Sequence, residues 1–376
     1  MILFPCGKAK MWTVISAEGQ TKDHQWIHDT CAEIHDEIQA AMGSDARCNG
    51  FIMDNTAANK KAMRMLEETY PWMICLGCCA HSLSLLIKDF VKYLNWLEVL
   101  YGLCIMVSNL AGGAEVMKAA FHESMQATYG LVRTICSHVD TRFGSKHLVM
   151  RDVMKNHAAL QSWVVSATYK AQMDKPKGKA PAHAEEVYDG VTARNPSLMS
   201  RCTAAGSLID PVMDVMHEIE GDKPYLSQMV PIIMHFQRHA QDWSDKYEEL
   251  SLGAKKDGDD IDVREIINQR LCGFLYRPCM AAAYLVDPAN FMQLEAGGYA
   301  APFGKLGDND ATKKYLEDAS AVIERLGGKD AVKEFEDFQY FVIGTQLHAC
   351  VRQITVRPSA LYLPGADGMQ CASKQS

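Results

Sequence analysis

The chain has 376 residues, of which 46 are acidic and 38 are Lys or Arg, so its formal net charge is −8. A hydrophobic fraction of 48% with 22% charged residues is typical of a globular protein and excludes wholesale disorder. At roughly 150 residues per domain, this length predicts two domains or one large, elaborated domain. The net acidity excludes a general electrostatic coat for DNA, although one local basic groove remains compatible with it.

Cysteine use and hydropathy predict the compartment. The 13 cysteines are odd in number and have no repeated spacing, which is typical of a reducing compartment rather than of a secreted disulfide scaffold. The first ten residues, MILFPCGKAK, lack a secretory signal's basic start and long apolar core. No run approaches the ~18 apolar residues of a membrane span. We therefore expect an intracellular protein, nuclear or cytoplasmic, with no membrane partner.

The chain begins with alternating strand and helix signals. Apolar runs at 2–6 and 11–17, separated by a short turn, predict a hairpin. Apolar residues at helical spacing then predict a helix from about 23 to 42, which Gly43 ends.

A second series of strand and helix signals follows. The short apolar run at 51–53 predicts a strand that is central and buried in its sheet. A helix is predicted over 54–70, ending before Pro71. A strand at 72–76 then leads into a helix that starts near Cys78.

Beyond residue 90 the strand signals fade, and most of 90–355 is predicted to be helical. The apolar run at 279–286 is expected to be buried. Pro-, Gly- or Asp-containing stretches interrupt the helices at 175–181, 252–262 and 297–312. We therefore divide the chain into the N-terminal part of a mixed core (1–95), a mostly helical segment (96–355) and a flexible tail (356–376).

Asp54 is the first candidate site residue. It follows a short strand and precedes a helix, the position where α/β sheets bind ligands. A carboxylate there can hold a divalent cation such as Mg²⁺ through hard oxygen contacts. The alternative is that Asp54 or Asn55 only caps the helix.

The second candidate is CLGCCAH at 75–81. Cys75 and Cys78 form a C-x-x-C pair, and Cys78 and His81 are spaced to share one face of a helix. Zinc would need about four such ligands, and no second cluster has a matching spacing. Buried thiols with one hydrogen-bonded histidine are the alternative.

Taken in chain order, these motifs form a recognisable series. DNTAANKKAMRMLEETYP from Asp54, GCCAHSLSLLIKD from Gly77 and TRFGS from Thr141 resemble the core of hAT-superfamily transposases. The closer resemblance is to transposase-like proteins that carry the domain of unknown function related to that core. Two later segments, IDPVMDVMHEIEGDKPYLSQMVP and RLCGFLYRPCMAAAYLVDPANF, resemble the helical part of those proteins, so the resemblance covers about residues 1–350.

The resemblance implies an α/β (α+β) fold. It is an incomplete RNase H-like mixed sheet with flanking helices, interrupted by a long, mostly α-helical insertion. Intact members of the family use three carboxylates to hold two Mg²⁺ ions for the phosphoryl transfers of DNA transposition. Asp54 matches the second of these carboxylates. The other residues that match family motifs are Asn55, Asn59, Cys78, His81 and Arg142, together with Phe143 where the family usually has Trp.

Two departures from the family pattern imply an inactive protein. The family's first Asp would lie upstream of Met1. The family's last Glu lies in a stretch that follows the helical insertion. Glu334 and Glu336 belong to a helix before that stretch, so neither is its equivalent. We therefore expect a chain truncated at both ends, with no bound cofactor. One carboxylate cannot hold two cations at the ~4 Å separation that two-metal catalysis requires.

Three other functions stay open on the sequence alone. The chain could associate with itself or with other transposase-like proteins, through a methionine-rich helical surface or an open sheet edge. It could bind DNA weakly through Arg142, Lys60 and Lys61, which the net charge disfavours. It could also be a zinc enzyme built on Cys75, Cys78 and His81.

Overall fold

The computed structural model describes residues 2–3, 9–43, 48–138, 144–176, 178–221, 225–255, 257–287, 290 and 310–344. Helices dominate these residues, and the strands among them form three separate two-stranded sheets. The mixed helix and strand content is confirmed in this coarse form, while the RNase H-like arrangement stays a prediction. Two compact units are present, one drawn from 1–78, 222–233 and 275–376 and the other from 79–221 and 234–274.

Four short strands and four complete α-helices of the first unit lie among its described residues. These are β1 (Ile2–Leu3), β2 (Ala9–Lys10), α1 (His24–Met42), β3 (Ile52–Met53), α2 (Ala57–Thr69), β4 (Leu76–Gly77), α14 (Pro278–Val286) and α15 (Asp310–Gly344). Helix α1 agrees with its predicted bounds. Its start is capped by Asp23, whose carboxylate accepts from the Trp26 amide at 2.9 Å, and it stops at Gly43, where φ is 100°.

The N-terminal hairpin is shorter than predicted. β1 and β2 pair in antiparallel fashion with Ile2 opposite Lys10. The strand predicted at 11–17 is wrong, because these residues belong to neither a ladder nor a helix and most of them are exposed. A strand signal alone cannot form a strand without a partner backbone beside it, and no described residue supplies one here.

β3 and β4 form a parallel pair in which Ile52 lies opposite Leu76. Backbone bonds extend the pair at both ends, from the Ile74 amide to the Asn49 carbonyl at 2.9 Å and from the Cys78 amide to the Met53 carbonyl at 2.6 Å. The predicted strand at 51–53 is therefore present, but its predicted burial is wrong. The Ile52 side chain is 64% exposed, since β4 is the only ladder partner of β3 among the described residues.

The core of this region lies between α1, α2 and the start of β4. Cys31 from α1, Met63 and Leu66 from α2, and Met73 and Cys75 from the segment before β4 form one buried apolar cluster. The strand predicted to start at 72 starts later. The Met73 amide donates to the Tyr70 carbonyl at 2.8 Å in the turn after α2, so this part of the chain is still turning.

α14 and α15 complete the first unit. The prediction that the apolar run at 279–286 is buried is confirmed for Met280, Ala281 and Leu285 in α14. Just before α14, the Tyr276 hydroxyl donates to the Asp318 carboxylate of α15 at 2.8 Å. α15 bends at Gly328, where φ is 79°.

The described part of the second unit is mostly helical, as predicted for most of 90–355, and contains one hairpin. Its elements are α3 (Cys79–Tyr93), α4 (Asn95–Gly112), α5 (Glu115–Tyr129), α6 (Ser145–Lys155), α7 (His157–Val164), α8 (Ala167–Met173), α9 (Lys179–Thr192), α10 (Leu198–Ile219), α11 (Met229–Lys246), α12 (Glu248–Ser251), β5 (Leu252–Ala254), β6 (Asp260–Asp262) and α13 (Val263–Arg270). The first residues of α11 belong to the first unit. Short 3₁₀ and π turns occupy Leu226–Gln228 and Leu271–Leu275.

The core of the second unit is aromatic at one end. Phe121, Trp163 and Tyr169 are buried, with ring centroids 5.0 Å apart for Phe121 and Trp163 and 4.8 Å apart for Trp163 and Tyr169. The interruption predicted at 252–262 proves to be the antiparallel β5–β6 hairpin, which turns at Gly258 with φ of 91°. The predicted tail at 356–376 and most of the interruption at 297–312 lie outside the described residues.

Within the described ranges, no single helix is long and apolar enough to cross a membrane. The pair α3 and α4 passes the same test of length and composition when the two are taken together. They are bent by 98° at the break between them.

Candidate functional site

The predicted site residues of the first unit gather where two strands end. Because β3 and β4 run parallel, their carboxyl ends meet at one edge of the pair. Asp54 and Asn55 follow β3, and Cys78 follows β4. We call Asp54, Asn55, Asn59, Gly77 and Cys78 the strand-end cluster.

Asp54 organises the turn from β3 into α2. Its Oδ1 accepts from the Thr56 amide at 3.0 Å and from the Asn59 side-chain amide at 2.7 Å. The helix cap itself is Thr56, whose hydroxyl accepts from the Asn59 amide at 3.3 Å, so the expectation that Asp54 or Asn55 caps α2 is wrong. Aspartate is suited to this turn because its short carboxylate reaches backbone groups two residues ahead.

Asn55 links the two strands. Its side chain is only 6% exposed, and its Nδ2 donates to the Cys78 carbonyl at 2.8 Å. The Oδ1 atom lies directly over Gly77, and a Cβ added there would sit 1.8 Å from it. Glycine at 77 is therefore required by the close approach of the buried amide, not by backbone conformation.

The donor set around Asp54 does not fit a magnesium centre. Both hydrogen bonds to its Oδ1 come from N–H groups, which would have to be displaced before that oxygen could bind a cation. Across the described residues, no group of three His, Cys, Asp or Glu side chains is arranged to hold a metal ion. Metal binding by Asp54 thus stays a prediction that its surroundings do not favour.

The cysteine motif likewise does not fit a zinc site. Cys75 is fully buried in the apolar cluster, and burial raises the pKa of its thiol to about 11, whereas zinc binds the thiolate. Cys78 follows β4, and His81 lies in the first turn of α3. The burial of the Cys75 thiol therefore disfavours zinc, while the alternative of buried thiols with one hydrogen-bonded histidine is met in the burial of Cys75 and not of Cys78, which is half-buried.

A basic surface lies next to the strand-end cluster on α2. Lys60, Lys61 and Arg64 are spaced over little more than one turn, and Lys61 and Arg64 are exposed. The Arg64 Nε donates to the backbone carbonyl of Lys60 at 3.4 Å, which holds the Arg64 side chain against its own helix. We call these three residues the α2 basic face. The other residues expected beside it, Arg142 and Phe143, lie outside the described residues.

One ion pair of the first unit escaped sequence analysis. Glu67 of α2 accepts from the Cys75 amide at 2.9 Å through one oxygen and from the Arg277 guanidinium at 2.7 Å through the other. It therefore joins the end of α2 to the start of β4 and to the residue before α14. Arg277 is 210 positions away in the sequence, so no local pattern could have indicated this contact.

A buried polar network in the second unit also lacked a sequence signal. The Tyr101 hydroxyl lies 3.1 Å from His147 Nδ1, and His147 Nε2 lies 2.6 Å from an Asp210 oxygen. His147 is 1% exposed, and burial lowers its pKa although the Asp210 carboxylate acts in the opposite direction. Both imidazole nitrogens have partners and Tyr101 is buried as well, whereas the Asp210 side chain is 39% exposed, so the network links α4, α6 and α10 from the core to the surface.

Comparisons with protein-family models, with curated proteins and with solved structures find no match for this chain. Its function is therefore inferred from the motifs and from the geometry of the strand-end cluster and the α2 basic face.

Proposed function

We propose that this chain is a non-catalytic hAT transposase-like protein with an RNase H-like core, and that it binds nucleic acid through the α2 basic face. The observation that carries the proposal is the placement of Asp54. Its carboxylate lies at the carboxyl end of a parallel strand, where such cores place an acidic residue, yet it serves there as a hydrogen-bond acceptor in the turn to α2.

The same geometry supports the proposed absence of cleavage. Two-metal phosphoryl transfer needs carboxylates that bridge two cations about 4 Å apart. Among the described residues, no group of three or more His, Cys, Asp or Glu side chains is arranged to hold a metal ion, and Asp54 Oδ1 already accepts from Thr56 and Asn59.

Binding to nucleic acid would rest on phosphate contacts. Lys60, Lys61 and Arg64 concentrate three positive charges beside the strand-end cluster, and contacts from such side chains to phosphates are independent of base sequence. The overall charge of −8 opposes association elsewhere on the chain. We therefore expect weak binding with little sequence preference and a marked dependence on salt.

The binding test compares two double variants of equal charge by fluorescence anisotropy with a labelled DNA oligonucleotide. Loss of two phosphate contacts in Lys60→Gln/Lys61→Gln should weaken binding about tenfold and lower the salt slope by about 1 to 2. Lys313→Gln/Lys329→Gln removes two exposed lysines of α15 and should leave binding unchanged. Equal weakening by both variants, or wild-type binding insensitive to salt, would contradict the proposed surface.

The catalytic test uses supercoiled plasmid incubated with the purified chain and Mg²⁺ or Mn²⁺. No nicked or linear product is expected above the level of a buffer control. Nicking by the wild type that disappears in Asp54→Ala would show that Asp54 acts in catalysis, and the non-catalytic assignment would then be wrong.

A further inference from the structure

One edge of β3 pairs with no strand among the described residues of the first unit. Backbone groups alternate sides along a strand, and the carbonyls of Phe51 and Met53 accept from β4. The N–H and C=O of Ile52 therefore face the opposite edge, where no described residue forms a ladder. The Ile52 side chain projects from a face of the pair and is 64% exposed, so an added strand could cover apolar surface as well as bond to the backbone.

The same unit also carries a segment with strand-forming composition that pairs with no described strand. Residues 11–16, MWTVIS, are rich in aromatic and β-branched side chains, and Val14 is 84% exposed. The segment continues directly from β2. It is tied to the surface by Trp12, whose indole N–H donates to Glu37 of α1 at 3.2 Å. We call residues 11–16 the free segment.

We propose that the free segment of one copy adds as a strand to the β3 edge of a second copy, and that the exchange is reciprocal. Each molecule supplies both the edge and the strand, so two such contacts related by a two-fold axis give a closed dimer. The inference is independent of the proposed nucleic-acid binding, because neither element includes a residue of the α2 basic face.

Three features favour a second copy as the occupant of this edge. Neither the free segment nor the stretch 51–53 contains a charged residue, so two molecules of net charge −8 can approach at these elements without local repulsion. The free segment has six residues, enough to span the five from Asn49 to Met53 through which the β3 stretch already pairs with β4. Pairing also covers Val14 and Ile52, two of the most exposed apolar side chains of the unit.

The first test is the molar mass of the full chain, measured by light scattering over a range of concentrations. Wild type should reach twice the 41.8 kDa of one chain. Val14→Lys and Ile52→Glu should each remain monomeric, because each places a charge in an apolar strand pair. Val116→Lys changes an apolar residue of α5 that is 68% exposed and should dimerise as wild type does.

Mixing the two monomeric variants separates this interface from a general loss of folding. In the mixed dimer, the introduced lysine and the introduced glutamate share one strand pair and the native residues share the other, so dimers should reappear. A wild type that stays monomeric at every concentration, or a Val116→Lys variant that also dissociates, would overturn the proposal.

Amide hydrogen exchange of the wild type supplies a second readout that requires no variant. The Ile52 amide and the amides of the free segment should exchange more slowly as the dimer forms. A dimer in which these amides exchange at the monomer rate would place the interface elsewhere, and slow exchange in the monomer would mean that the edge is covered within one chain. Either result would refute the proposed strand exchange between two copies.

Discussion

The close approach of Asn55 to Gly77 predicts that Gly77→Ala destabilises the strand pair and that Asn55→Ala removes this destabilisation. In Gly77→Ala, the new Cβ would lie 1.8 Å from Asn55 Oδ1, and the three nearest atoms to it all belong to the Asn55 side chain. The variant can fold only if that side chain moves by more than 1 Å, about the distance needed to restore an ordinary contact. Such a shift breaks the 2.8 Å bond to the Cys78 carbonyl.

Two costs then add in Gly77→Ala. Overpacking against the buried Asn55 side chain costs about 1–3 kcal/mol, and the loss of its hydrogen bond to Cys78 costs about 1–3 kcal/mol. We expect a total of at least about 2 kcal/mol. In the Asn55→Ala background the clashing atoms are gone. The same glycine replacement should then be neutral or stabilise by about 0.4–1 kcal/mol, through lower entropy of the unfolded chain.

The assay is native-state hydrogen exchange at the amides of Leu76 and Cys78, which donate to Phe51 and Met53 across the strand pair. These amides report the opening of this pair, so the second unit does not complicate the result. A full double-mutant cycle gives the coupling between positions 55 and 77. If Gly77→Ala destabilises the pair equally in both backgrounds, contact with Asn55 is not the reason that glycine occupies position 77.

Three further predictions follow from named contacts. Asp54→Asn should retain stability measured by urea unfolding, because an amide oxygen can still accept from Thr56, whereas Asp54→Ala should lose about 1 kcal/mol. Burial lowers the pKa of His147 in the folded state. The stability that neutral His147 contributes is therefore present above the unfolded pKa of about 6.5 and is lost as the pH falls towards the folded value. In His147→Gln, the midpoint of urea unfolding should fall less over this pH range than it does in wild type. Iodoacetamide at mildly alkaline pH should label the exposed Cys272 and spare Cys31, because burial raises the pKa of the Cys31 thiol to about 12, as peptide mapping will show.

A specific result would contradict each of these three predictions. Equal destabilisation by Asp54→Asn and Asp54→Ala would mean that the negative charge, rather than the acceptor, matters. Stability of His147→Gln that falls with pH as steeply as that of wild type would assign the effect to other histidines, such as His157 and His239, whose pKa values burial also lowers. Labelling of Cys31 as fast as Cys272 in the folded chain would contradict the burial of the cluster around it.

The sequence by itself determined the elements whose signals are local. Asp23 and Gly43 predicted the ends of α1, because a cap bonds to backbone groups within about one turn. The apolar run at 279–286 predicted a buried segment, and the order of strand, helix and strand between 51 and 77 was legible from hydrophobic pattern. The position of Asp54 between a strand and a helix was likewise indicated, although its proximity to Gly77 and Cys78 was not.

Only the tertiary structure decided which of these residues have partners. The exposure of Ile52 and the lack of a ladder at 11–17 depend on which backbones lie alongside, and hydropathy cannot report a neighbour. The bonds from Glu67 to Arg277 and from His147 to Asp210 join positions 210 and 63 residues apart. Capping and periodicity act within a few residues, whereas ladders and buried polar contacts form between segments that meet only after the chain has folded.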